Sequence, residues 1–276
     1  MLVSVDAAQP RPAITLPDRA YLHELWEWRG LWLTFLRRDL QQRYRRSVLA
    51  FAWLVLQPVA GMVVFAAVFG RIGRIGADGV PYRLFVLVGL TFWIFARGAL
   101  TASAGSVVAQ SSLVTRVYFP RLLLPLSAIA GRLIDFALGL GVVLVVLAAS
   151  GRLPGRGVWL AVPALVVALV LVTGLAMAAA AANVRFRQVG AGIPAVMQLW
   201  MFLSPVIYPA SLVPPEWRGW YRLNPMVGIL EAFRAAMLGQ PAALGELAYP
   251  ALAAIAIFTV GFSIFRWMED EFADRL

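Results

Sequence analysis

Residues 41–53 read QQRYRRSVLAFAW, three arginines within four positions running straight into apolar side chains. Such a patch has two readings: a surface for a nucleic acid, or the charged doorstep of a membrane span. The segment downstream of the arginines decides between them. VLAFAWLVLQPVAGMVVFAAVF, residues 48–69, is long enough to cross hydrocarbon, which takes about 20 apolar residues, and only Gln57 and Pro58 interrupt it halfway. No recognisable nucleic-acid reading motif accompanies the arginines, so no nucleic-acid partner is expected.

Composition agrees with the membrane reading. Of 276 residues, 61% are hydrophobic and 14% charged, against roughly 25% charged in an ordinary soluble chain. Polar surface is too scarce to enclose the apolar content in water. The formal charge of +10 rests on arginine alone, with no lysine, and arginine anchors well at headgroups. The absence of cysteine excludes disulfides, thiol catalysis and cysteine-held metal, and His23 is the single histidine. No metal site is expected. Residues 1–20, with Pro10, Pro12 and Pro17, read as a mobile leader that lacks the basic start, apolar core and cleavage site of a signal peptide.

From Tyr21 the pattern becomes helical. Leu22, Leu25, Trp26, Trp32, Leu33, Leu36 and Leu40 recur on one stripe, which predicts an amphipathic helix over 22–40 lying at the membrane interface or packed on protein. Six apolar segments follow, at about 48–69, 84–104, 122–149, 158–182, 189–208 and 247–265. Between the last two, PMVGILEAFRAAML (225–238) is too short and too charged to span, and reads as a re-entrant or interfacial helix. The expected fold class is therefore all-α integral membrane: six transmembrane helices, an N-terminal interface helix and outer re-entrant helices, in one transmembrane domain over 21–276. With both termini cytoplasmic, fourteen arginines fall inside and eight outside, which satisfies the positive-inside bias.

Charges inside spans are costly and face protein or water. Arg97 lies in the second span, and Arg132 and Asp135 lie three apart in the third, a spacing that permits a pair on one helix face. Arg97 is an equal partner for Asp135 across helices. These three either lock helices together or line a polar path. In the loop 105–121, Ser111, Ser112, Leu113, Val114, Thr115, Arg116, Val117 and Tyr118 form a short amphipathic stretch ending before Pro120, either a plain connection or a partner-docking element. Outside, LSPVIYPASLVPPEWRGWYRLNPMVG combines helix-breaking prolines with Tyr208, Trp217, Trp220 and Tyr221, an interfacial belt or a stacking path for sugar rings. The sequence contains neither G-x-x-x-x-G-K-[ST] nor H-E-x-x-H, so the chain is not expected to hydrolyse ATP or to be an enzyme. It shows no recognisable channel filter, and its isolated charges make a thin proton relay.

In order and spacing, RYRRSVLAFAWLVLQP, SSLVTRVYFPRLLLP, NVRFRQVG, MFLSPVIYP and RLNPMVGILEAFR resemble the permease subunits of type 2 ABC exporters, specifically those exporting O-antigen, capsule or teichoic acid. The resemblance runs over about 21–268, with Ala50 where members often have glycine. It implies the type 2 exporter permease fold and a homodimer bound to two copies of a separate cytoplasmic ATPase in the inner membrane. This chain would bind no cofactor, ATP and Mg belonging to the partner. It further implies that 110–120 is the coupling helix, that 22–40 is the interface helix, and that 205–238 caps the exit. Trp53, Trp200 and Tyr208 would flank a conduit for a polyprenyl-diphosphate-linked glycan, with Arg43, Arg45 and Arg46 meeting its diphosphate. Two alternatives stay open: the same kind of permease carrying a drug or lipid, and an ATP-independent secondary transporter.

Overall fold

The computed structural model describes residues 18–44, 48–73, 76–77, 79–241 and 243–276, and among them every regular element is helical. Asp18 caps the first helix by accepting the Tyr21 N–H at 2.8 Å, so α1 (Arg19–Glu27) begins inside the expected leader. The chain turns at Trp28 and continues as α2 (Arg29–Tyr44). The expected single stripe is split. Tyr21, Phe35 and Leu36 are buried against protein, while Leu22, Trp26 and Leu33 are exposed. One face is therefore packed on protein and another is uncovered.

Next come α3 (Val48–Phe65), α4 (Tyr82–Ala109), α5 (Ser111–Val114), α6 (Leu123–Ala149), α7 (Ala161–Arg185) and α8 (Gln188–Phe202). The last elements are α9 (Pro215–Arg222), α10 (Pro225–Leu238), α11 (Ala248–Glu269) and α12 (Phe272–Arg275). α3 runs on through a π-helical segment, Ala66–Ile72, where the Gly73 N–H reaches five residues back to the Val68 carbonyl at 2.9 Å. Among the described residues, five stretches are long and apolar enough to cross a membrane: Ala52–Ile72, Tyr82–Ala109, Leu123–Ala149, Gly157–Arg185 and Leu244–Glu269. The fold is all-α and integral to a membrane.

The expected span 189–208 differs from these. α8 has 15 residues, about 22 Å of helix at the usual rise, and the chain then leaves the helix. The cause is local: Pro205 has no N–H to donate, and its ring disfavours helical backbone at Ser204.

α4 is the axis of the bundle, with 78% of its most apolar window buried. α6 and α7 flank it. Small residues bring α7 and α11 together: a β-carbon on Gly174 would stand 2.5 Å from the Phe258 Cα, and one on Gly261 would strike the Gly174 carbonyl. The first span is the exception, with 6% of its window buried. Trp53, Leu56, Val63, Val64 and Val68 form an exposed stripe along it. The gap left between this loosely held span and the axis holds a cavity of about 870 Å³.

Candidate functional site

The site begins with a buried carboxylate. Asp135, on α6, is 9% exposed. One of its oxygens accepts from the Arg43 guanidinium and, at 3.3 Å, from Arg132; the other accepts the Tyr44 hydroxyl at 2.5 Å. Arg43 also donates to Asp39 at 2.5 Å, one turn back on α2. The i,i+4 spacing on α2 and the i,i+3 spacing on α6 put all four charges between two facing helix surfaces. Gly131 makes the approach possible, since a β-carbon there would stand 2.5 Å from Asp39 Oδ2. Two arginines and two aspartates balance. Burial, and next the hydrogen bond to Asp135, push the Tyr44 hydroxyl up to about 12, so it stays a donor at any physiological pH.

Above this cluster opens a cavity of about 870 Å³ between α3, α4, α6 and α8. It brings together five of the residues singled out from sequence: Arg43, Trp53, Arg97, Arg132 and Asp135. Its wall mixes aromatic side chains, among them Trp53, Trp93, Phe95 and Phe136, with aliphatic and polar ones such as Leu54, Gln57 and Gln198. The alternative partner for Asp135 is settled, because its bonds go to Arg43, Arg132 and Tyr44 rather than to Arg97. Arg97 is exposed to the cavity. Trp200 lies behind this wall, edge-on to Trp93 at 5.7 Å, and lines a separate apolar cavity of about 690 Å³ with Trp217 and Trp220. The Tyr208 hydroxyl donates to the Phe202 carbonyl at 2.8 Å, and the residue lines none of these spaces. Arg45 and Arg46 lie outside the described residues.

Where α8 breaks, buried carbonyls released from the helix require other donors. Asn224 supplies two bonds, donating to the Leu203 carbonyl at 3.0 Å and to the Ser204 hydroxyl at 2.9 Å. Its own oxygen accepts from Trp200 at 3.1 Å and caps α10 through the Met226 N–H. Arg234, 3% exposed, donates to the carbonyls of Pro205 at 2.5 Å and Val206 at 3.2 Å. Its guanidinium also lies 3.6 Å above the Phe85 ring. The Tyr82 hydroxyl donates to the Ile207 carbonyl at 2.5 Å. Sequence reading gave Asn224 and Tyr82 no role, and used Arg234 as a charge that barred a span and as one of the eight outer arginines. The available signals were an Asn-Pro pair opening a helix and an arginine in an apolar run.

At the opposite end, α5 is a single turn. Val114 is buried, whereas Val117 and Tyr118 are exposed beside Arg116. Of the expected amphipathic stretch, Ser112, Thr115, Arg116, Val117 and Tyr118 face outward, and Ser111 and Leu113 are half-buried. The loop is tied to two other elements. The Tyr118 hydroxyl donates to Glu24 of α1 at 3.2 Å, and Arg121 donates through its backbone N–H and its side chain to Glu269 of α11, both at 2.9 Å. Burial first, and then the Glu24 carboxylate, raise the Tyr118 hydroxyl above its ordinary value. Asn183 ties the second short loop, donating to the Ala104 carbonyl at 2.9 Å and accepting the Gly190 N–H at 2.7 Å.

The model of the ABC-2 type transporter family matches residues 30–238. The chain is 31% identical over 259 residues, 92% of its length and 98% of the relative's, to the O-antigen export system permease protein RfbA of Myxococcus xanthus. It is 23% identical over 248 residues to RfbA of Klebsiella pneumoniae, covering 89% and 95% of the two chains. It is also 23% identical over 242 residues to the polysialic acid transport protein KpsM of Escherichia coli, covering 84% and 91%. The chain belongs to the ABC-2 type transporter family, as a permease that resembles the O-antigen and polysaccharide export members.

Proposed function

We propose that this chain is the membrane half of an ATP-driven exporter of a polyprenyl-diphosphate-linked polysaccharide in the inner membrane. Two copies form the path, and two copies of a separate ABC ATPase power it. The observation that carries the reading is the near end-to-end match to O-antigen permeases, in a chain with a cavity lined by both basic and aromatic side chains. That combination suits a substrate with an anionic link between a hydrocarbon tail and a sugar chain.

In this reading α8, completed by the turn at 203–209, makes the sixth crossing, and both termini lie in the cytoplasm. α9 and α10 form the outer re-entrant cap. α1 and α2 form the interface helix, which the Asp135 cluster fastens to the third span. The exposed Arg116–Tyr118 edge seats in the ATPase. Its links to α1 and α11 through Glu24 and Glu269 let one docking event pull on three elements. Arg43, bound to Asp39 and Asp135, serves the anchor.

The test is reconstitution. Proteoliposomes holding this chain and its ATPase should move a lipid-linked glycan to the far leaflet only with ATP, and glycan should raise ATP turnover. Equal movement without ATP would identify a secondary transporter. Turnover indifferent to glycan but raised by a drug or phospholipid would reassign the cargo.

A further inference from the structure

One face of the central helix carries donors that lack acceptors. Trp93, Arg97 and Thr101 stand four residues apart on α4 and all line the large cavity, a spacing that stacks them along one side of the helix. The Trp93 Nε1 and the Thr101 Oγ1 are buried and have no hydrogen-bond partner among the described residues. Trp93 is itself only 2% exposed. Between them Arg97 makes no hydrogen bond or ion pair with the described residues. The Nε of Arg132, whose stem packs near Gly98, is also without an acceptor.

The charges sharpen this. Arg43 and Arg132 are matched by Asp39 and Asp135, so among the described residues the positive charge left over in the cavity is that of Arg97. A cation at span depth, on a helix face that also carries a buried N–H and a buried O–H with no acceptor, is complementary to an acceptor-rich anion. Arginine matches phosphate oxygens by geometry as well as charge. The surrounding Trp53, Phe95, Phe136 and Met201 offer no further charge and suit hydrocarbon. The ligand indicated is an amphiphile with a phosphoryl group at its polar end.

We propose that Trp93, Arg97 and Thr101 form an anion site on α4 that receives a phosphoryl group of the transported amphiphile, with Arg97 as its charged contact. This rests on the export reading and replaces Arg43, which is already neutralised, as the diphosphate contact within the cavity. Arg43 remains an anchor.

Equilibrium binding to the purified full-length chain in detergent tests it, with farnesyl diphosphate as probe and farnesol as its uncharged counterpart. The wild type should bind the diphosphate more tightly than the alcohol. Arg97→Gln should weaken the diphosphate at least tenfold and leave the alcohol unchanged. Arg97→Lys should recover part of the loss, and Thr101→Val, which keeps shape but removes the hydroxyl, should cost a few-fold. Arg187→Gln, outside the cavity, should do nothing, and unchanged thermal unfolding of each variant would exclude a folding defect. If Arg97→Gln binds the diphosphate like wild type, the site assignment is wrong while the export reading stands. If wild type does not distinguish diphosphate from alcohol, the diphosphate carrier and this site both fail. If dodecyl phosphate binds, farnesyl diphosphate does not, and Arg97→Gln abolishes binding, the anion site holds and the carrier identity fails.

Discussion

At the scale of single residues, the Asp135 cluster shows how a carboxylate becomes acceptable inside an apolar helix bundle. A lone carboxylate there would cost several kcal/mol, but Asp135 has three donors around it. Sequence spacing identified Arg132 as a partner and could not identify Arg43 or Tyr44, some ninety positions away, because helix approach is a tertiary fact. Tyr44 gives the cluster a pH signature. Its hydroxyl is raised from 10.0 to about 12, so the folded state favours the neutral phenol. That stabilisation is complete below pH 10 and is lost as pH climbs through about 12. The difference in thermal midpoint between wild type and Tyr44→Phe should therefore be constant from pH 6 to about 9 and shrink above pH 10. A constant difference across the whole range would mean that the hydroxyl contributes nothing through Asp135.

Elements tell a second story, at the break after α8. Prolines announce that the helix stops, but they do not say what satisfies the carbonyls set free. Arg234, Asn224 and Tyr82 do, from two other helices and the turn before one of them. Replacing Arg234 by Met should destabilise the protein by about 3 kcal/mol, since two buried carbonyls lose their donor. Gly89→Ala should act in the same direction from the other side of the contact, because its β-carbon would stand 2.6 Å from the Val206 carbonyl. Thermal unfolding in detergent measures both. Arg234→Lys should not rescue, because an ammonium reproduces neither the planar stacking on Phe85 nor the forked donors. Full stability of Arg234→Met would show that water can replace the guanidinium there.

For the whole molecule, the thinly packed first span is the informative feature. Its stripe of Trp53, Leu56, Val63, Val64 and Val68 is uncovered in one copy, and the proposed dimer gives it a protein neighbour. The chain has no cysteine, so Val64→Cys introduces a single thiol. Oxidation in native membranes should yield a covalent dimer, while Ala96→Cys, buried in α4, should not. A monomer in both cases would place the Val64 face against lipid. The environment is legible in the sequence alone: scarce charge, long apolar runs and arginines at their ends leave the bilayer as the only solvent in which this composition folds. The order of its motifs was enough to indicate the family. How the charges divide is a tertiary fact: Arg43 is paired with Asp39 and Asp135, and Arg97 is left facing a cavity. Composition and spacing record which charges exist and which share a helix face, whereas neutralisation depends on distances between helices far apart in the chain.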